Sequence, residues 1–232
     1  MKTTNVNPND LNYDHYAMEK YDADILRVIP GHEDLHKEIE KVVKEYSKKQ
    51  EIKKIADLGI GTALTAERIL KIAPKAKLIA VDFSDQMIGG AKKRLEKYTT
   101  EFLLGDYSEI DFGKDFDIVT SVIGIHHQNV EGKKKVFKKI YDSLKPGGIF
   151  VFGDLVTYKN KEDTAYNDAR HYHHLVENAE DEKSLKEWAY HHKFLNNPSP
   201  LEDQVEWLRA IGFKEIKIEY KYLNTALIIC TK

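Results

Sequence analysis

The stretch Ile55-Ala56-Asp57-Leu58-Gly59-Ile60-Gly61-Thr62-Ala63 decides the fold. The apolar run 53–58 reads as a buried strand, and residues 63–72, with Leu64, Ile69 and Leu70 set among charges, read as a helix. A glycine-rich turn therefore joins the first strand to the first helix of an α/β unit. Glycines at that point let a ligand approach the backbone closely, at the carboxyl end of a sheet where open α/β folds bind ligands. Taken alone, G-x-G also serves simply to close a tight turn, so the neighbouring elements must decide.

Working outward, the apolar runs 77–82, 100–104, 116–122 and 148–153 are further strands. Helical spacing marks 85–97 through Met87, Ile88, Ala91 and Leu95, and 133–144 through Val136, Phe137, Ile140 and Leu144. The order β-α-β-α-β-β-α-β predicts a parallel sheet covered on both faces. The expected fold class is α/β: a Rossmann-like, seven-stranded, mostly parallel sheet with an antiparallel last strand, helices on both faces and helical lid additions. Ser84 and Asp85 are placed to cap the second helix, and Pro146-Gly147-Gly148 should stop the helix ending at Lys145. One domain is expected throughout. Residues 1–50 form an N-terminal helical lid, with helices 11–26 and 33–49 broken at Pro30-Gly31. Residues 51–155 are the core and 156–199 a helical insertion. Residues 200–232 supply a helix ended by Gly212 and a strand pair at 214–222 and 224–231. The triplet Lys133, Lys134, Lys135 reads as a solvated helix face.

Two acids strengthen the ligand reading. Asp82 ends the second strand about 20 residues after the glycines, where a carboxylate can accept hydrogen bonds from both ribose hydroxyls of an adenosine ligand. Asp106 follows the third strand and can reach an adenine amino group, with Phe83 and Tyr107 as apolar surface for the ring. A single Asp at a strand end more often caps a turn, but three such signals after three successive strands are harder to explain that way. The dinucleotide fingerprint needs glycine where this chain has Leu64, and the G-K-[ST] ending of a P-loop is absent.

The chain resembles the class I S-adenosylmethionine-dependent methyltransferases. The resemblance rests on Asp57-Leu58-Gly59-Ile60-Gly61-Thr62, Ala80-Val81-Asp82-Phe83-Ser84, Gly105-Asp106-Tyr107, Phe116-Asp117-Ile118-Val119 with Ile125-His126-His127, and Leu144-Lys145-Pro146-Gly147-Gly148. It implies S-adenosyl-L-methionine as cofactor, held by Asp57, Gly59, Gly61, Asp82, Phe83, Met87, Asp106 and Tyr107, with Tyr13, Tyr16 and Tyr21 closing from the N-terminal side. Ala63 departs from the third glycine of many members. A narrower resemblance links Val28-Ile29-Pro30-Gly31-His32, Trp207 to Phe213 and Tyr220 to Asn224 with the tRNA wobble-uridine carboxymethyltransferase branch. That branch uses a carboxylated cofactor held by an arginine in the late insertion. Residues 188–193 contain no arginine, so ordinary S-adenosylmethionine is expected.

Methyl transfer from a sulfonium is an in-line displacement, which needs alignment and a water-poor pocket and no covalent nucleophile. An OH, NH or SH acceptor also needs a base, and histidine titrates in the right range. His126 and His127 are the catalytic candidates; adjacent side chains point apart, so at most one should enter the pocket. The insertion carries His171, His173, His174, His191 and His192. His171, His174, Tyr172, His191 and His192, together with Tyr16, are the expected acceptor pocket, against the plainer reading of a polar lid. No metal site is expected, since two-His-plus-carboxylate spacing does not stand out.

The 232 residues carry 36 basic and 38 acidic side chains, a net charge of −2, and give no overall basic field for a polyanion. Cys230, the one cysteine, fits a reducing compartment, and no apolar run approaches membrane-spanning length, so a cytoplasmic location without membrane insertion is expected. The expected activity is methyl transfer to O, N or S of a small molecule. Its rivals are tRNA base modification through a basic surface including Lys138 and Lys139, a non-catalytic cofactor-binding protein, and a metal-assisted transferase. Oligomeric state stays open, a homodimer among the options.

Overall fold

The computed structural model describes Leu11 and residues 18–232. Five parallel strands, β1 (Lys54–Leu58), β2 (Lys77–Asp82), β3 (Thr100–Leu104), β4 (Phe116–Val122) and β5 (Leu144–Thr157), form the body of the sheet. A two-residue β6 (Ser199–Pro200) pairs with the far end of β5. The chain then returns through β7 (Glu215–Tyr222) and β8 (Thr225–Thr231), giving the order β3-β2-β1-β4-β5-β8-β7. β8 is antiparallel to both of its neighbours, as the strand pair in the sequence led one to expect.

The period of two along β5 assigns the two faces. Phe150 and Phe152 pack with Phe137 and Ile140 of α5 (Val130–Ser143) and Leu208 of α8 (Leu201–Ile211). Ile149 and Val151 pack on the other side with α2 (His32–Lys49) and α3 (Leu64–Ile72). α2 buries Leu35, His36, Ile39, Val43 and Tyr46 on one stripe, and each large apolar side chain so buried contributes about 1.5–3 kcal/mol. α1 (Met18–Val28) precedes it, and the break falls at the expected Pro30-Gly31. Gly31 has φ 70°, and a Cβ there would meet the Tyr220 hydroxyl at 2.1 Å, so both backbone and space demand glycine.

Several sequence expectations need correction. α5 ends at Ser143, and Pro146-Gly147-Gly148 lies inside β5. The register against β4 slips between Phe116 and Ile118 there, and Gly147 adopts φ 78°, so the motif makes a bulge rather than a helix stop. Lys133 is not solvated: it is 1% exposed, with Nζ donating to Asn197 O and to Ser199 Oγ at 2.8 Å, whereas Lys134 and Lys135 pair at the surface with Glu131 and Glu109. α4 (Asp85–Arg94) stops three residues short of expectation, capped at its start by Ser84 Oγ accepting from Met87 N. The insertion is two helices, α6 (Lys161–Asn178) and α7 (Glu182–Tyr190), capped by Asn160 and Asp181, followed by a π-helical turn at His191–Leu195. Of the expected helix 11–26, residues 12–17 lie outside the described residues.

Candidate active site

The ends of β1, β2, β3 and β4 open into one cavity, closed from the other side by α1 and α2. Gly59 (φ 77°) and Gly61 (φ 53°) turn the chain away from β1. The site where a Gly59 Cβ would stand is 3.7 Å from the Tyr107 ring, and that at Gly61 is 4.0 Å from Tyr21. Ala63 caps α3 in the same left-handed conformation, φ 68°, fully buried.

Asp82 fastens this turn: one carboxylate oxygen accepts from Gly61 N at 2.8 Å and the other from Ser84 N at 2.9 Å. Burial raises its pKa against the pull of these bonds. Asp57, at the end of β1, is pushed up to about 8, first by burial and then by the Asp82 charge. Asp106 accepts from Ser108 N at 2.7 Å, the turn-closing role open to any Asp at a strand end, and still lines the cavity. Tyr107 is buried beside it and donates to Gly124 O at 3.3 Å. Phe83, Met87 and Tyr21 complete the expected cofactor wall, and Tyr13 and Tyr16 lie outside the described residues.

The two adjacent histidines separate as their alternation requires. His127 lines the cavity, and His126 turns behind it to Asp154, 2.5 Å away. His127 Nδ1 lies 3.0 Å from Leu195 O, and a carbonyl only accepts, so Nδ1 carries the proton and Nε2 keeps its lone pair. Burial, followed by the neighbouring His126 and His191, holds the ring well below the ordinary imidazole pKa, so it is neutral at pH 7.

Sequence reasoning assigned no role to two other lining histidines. His32 and His36 share one face of α2, their rings 4.3 Å apart. His36 donates from Nδ1 to His32 O and accepts from the Thr65 hydroxyl, both at 2.9 Å. His32, pushed down to about 3 chiefly by burial, has a buried Nδ1 with no partner. Their i, i+4 spacing amid Leu35, Ile39 and Val43 was the available signal. A clasp was also missed: Asp22 of α1 accepts from Thr62 Oγ1 at 2.5 Å and pairs with Arg94 of α4.

Of the expected acceptor residues, the described ones, His171, His174, Tyr172, His191 and His192, do not line this cavity. His171 donates from Nε2 to Val28 O at 2.9 Å and accepts from Asn224 Nδ2 at 2.7 Å, bracing α6 against α1 and the β7–β8 turn. His174 faces the same junction. The His191 ring stands 5.6 Å from His127, and Tyr172 and His192 line a second cavity. Among the described residues no group of three or more His, Cys, Asp or Glu side chains is placed to hold a metal ion, and no helix is long and apolar enough to cross a membrane.

The donor set fits a cationic adenosine cofactor. Three carboxyls, Asp57, Asp82 and Asp106, face the cavity beside a left-handed glycine turn, and among the described lining residues there is no lysine or arginine. A family model described as a methyltransferase domain matches residues 55–148, the segment that builds the cavity floor. Over that segment the chain is similar to methyltransferase domains of the S-adenosylmethionine-dependent kind. Along nearly its whole length, the chain is 28% identical over 229 residues to a carboxy-S-adenosyl-L-methionine synthase of Nautilia profundicola, covering 95% of this chain and 94% of that protein. In fold it is similar to an O-methyltransferase family protein of Burkholderia thailandensis (TM-score 0.66, 16% identity, 96% of this chain and 61% of that one). It is also similar to an N-methyltransferase of Bradyrhizobium japonicum in complex with S-adenosylhomocysteine (TM-score 0.58, 14% identity, 88% of each chain).

Proposed function

We propose that the methyltransferase transfers a methyl group to an O, N or S atom of a small-molecule acceptor, with His127 as the base. The observation that carries this reading is the tautomer of His127, neutral and with Nε2 as its free lone pair in the wall of the cofactor cavity. S-adenosylmethionine supplies the electrophilic methyl group when bound. Asp82 and the Gly59–Gly61 turn bind the nucleoside, and Asp57 and Asp106 favour positive charge nearby. Tyr21 and Ile25 of α1 exclude water from above. His126, held by Asp154, keeps the short helix Ile125–His127 in place, so that His127 receives the acceptor proton.

Calorimetric titration with S-adenosylmethionine and S-adenosylhomocysteine, repeated on Asp82→Ala, tests the cofactor assignment. Incubation with pools of small phenols, amines and thiols, followed by S-adenosylhomocysteine release, tests the acceptor class. His127→Ala should keep cofactor binding and lose turnover; equal turnover in that variant would remove the histidine from the mechanism.

A second reading is favoured by the relatives that match nearly end to end, whose name places the chemistry on the cofactor itself. Carboxylation of S-adenosylmethionine puts an anion into the cavity, and the described lining has no cation to meet it. Mass spectrometry of the nucleoside extracted from purified protein separates the two readings: a gain of one carbon dioxide over S-adenosylmethionine would establish the second.

A further inference from the structure

A second cavity opens between the carboxyl end of β5, α6, α7 and the π-helical turn, and among the described residues it shares no lining residue with the cofactor pocket. Three of its lining residues, His192, Asn196 and Asn224, each have a buried side-chain polar atom without a partner: Nδ1, Oδ1 and Oδ1 respectively. Burying such atoms unpaired is costly, about 1–3 kcal/mol each, so their convergence on one cleft calls for a ligand.

The hydrogen-bond chain around them fixes what that ligand must offer. His171 Nε2 donates to Val28 O, so its Nδ1 is an acceptor and the Asn224 amide nitrogen must donate to it, leaving Asn224 Oδ1 as an acceptor. His192 Nε2 lies 2.8 Å from Asp168 Oδ1 and donates there, so in the neutral ring Nδ1 is likewise an acceptor. Asn196 Oδ1 is the third. These three unpartnered atoms call for donors from a ligand, and the Asp168 carboxylate adds negative charge at the rim. The two lysines of the lining are already engaged, Lys186 with Glu182 at 2.7 Å and Lys193 over the Phe194 ring at 5.2 Å. Tyr172 and Tyr190 stand 49% and 57% exposed on the cavity wall, the Tyr190 ring 5.0 Å from that of Phe194. Aromatic faces beside acceptors and a carboxylate suit a cation.

We propose that this cleft is a second ligand site, taking a small aromatic amine whose ammonium group donates to Asp168 and the asparagine carbonyls while its ring packs on Tyr172 and Tyr190. The π-helical turn separates it from the cofactor pocket. Such turns concentrate at functional sites, and here the turn directs His191 towards His127 and His192 into the cleft. The site stands independently of the acceptor reading above.

The test is calorimetric titration of the full chain with tyramine, with 4-ethylphenol as the counterpart lacking the amine. Asp168→Asn removes the charge but keeps an acceptor for His192, and Tyr190→Ala alters an exposed side chain, so both variants should fold. Tyramine should bind, 4-ethylphenol should not, and both variants should weaken tyramine about tenfold, the worth of a charge-assisted bond or a good ring contact. Saturating S-adenosylhomocysteine should leave tyramine affinity unchanged. Absence of tyramine binding, equal binding by the variants, or displacement by S-adenosylhomocysteine would overturn the proposal.

Discussion

His126 and Asp154 make a two-point contact: the imidazole Nδ1 lies 2.5 Å from one carboxylate oxygen, and the His126 backbone N–H donates to the other at 2.8 Å. Both side chains are 2% exposed. The pair fixes the loop after β4 to the carboxyl-terminal part of the long strand β5. Asp154→Ala leaves a buried donor unpaired and should cost about 3–5 kcal/mol of unfolding free energy. Urea denaturation measures this, and a loss under about 1 kcal/mol would mean that the pair behaves like a surface bridge.

Asp57 gives the stability a sign with pH. Its folded pKa, about 8, stands above the ordinary 3.8, so between those values the folded state holds more protons than the unfolded chain. Without cofactor, the Asp57 contribution to stability is full below about pH 4 and is lost as pH rises through 8. A cationic cofactor reverses the preference by favouring the carboxylate, so binding should release a proton and tighten as pH rises towards 8. Titration in phosphate and in Tris buffers checks this: identical apparent enthalpies would exclude proton release.

The Asp22–Arg94 pair, 19% and 15% exposed at the side chains, ties α1 to α4 across the cofactor turn. Arg94→Ala frees α1, which carries Tyr21 and Ile25 of the pocket wall. Release of S-adenosylhomocysteine, followed by stopped flow, should quicken about tenfold, equivalent to about 1.4 kcal/mol. An unchanged release rate would show that α1 does not gate the pocket.

Lys133 is pushed down to about 8 by burial, with the Asp154 charge partly opposing this. Its folded pKa lies below the ordinary 10.5, so its contribution to stability grows as pH rises from 8 to 10.5. Lys133→Met removes the donor to Asn197 O and Ser199 Oγ and should cost about 1–3 kcal/mol, while flattening that alkaline rise. Chemical denaturation at pH values on either side of the window measures both effects.

The sheet and the cofactor floor were legible because their signals are local. Alternating apolar runs, the Gly59–Gly61 turn and the acids at 82 and 106 each declare themselves within a few residues. What failed was what depends on the environment after folding. Lys133 looks like its neighbours Lys134 and Lys135 until α5 packs on the 196–199 segment, and Pro146-Gly147-Gly148 stops a helix in isolation but bulges a strand once β4 lies alongside. The His171 and His192 rings stand 4.2 Å apart, a contact that helical spacing does not reveal, because the π turn that aims His192 has no sequence signature. His32 and His36 were hidden by their likeness to an ordinary buried stripe.

β8 also sets the order in which parts of the molecule come loose. Among the described residues β7 has no sheet neighbour other than β8, and β8 in turn lies along β5. β8 therefore cannot leave β5 without carrying β7 off the sheet. Its tip carries Asn224, which holds His171 of α6, and its outer strand carries Tyr220, whose hydroxyl reaches Gly31 between α1 and α2. Peeling this edge thus unfastens both lid segments, and slow amide exchange should report the β7–β8 pair, α6 and the start of α2 as one cooperative opening unit.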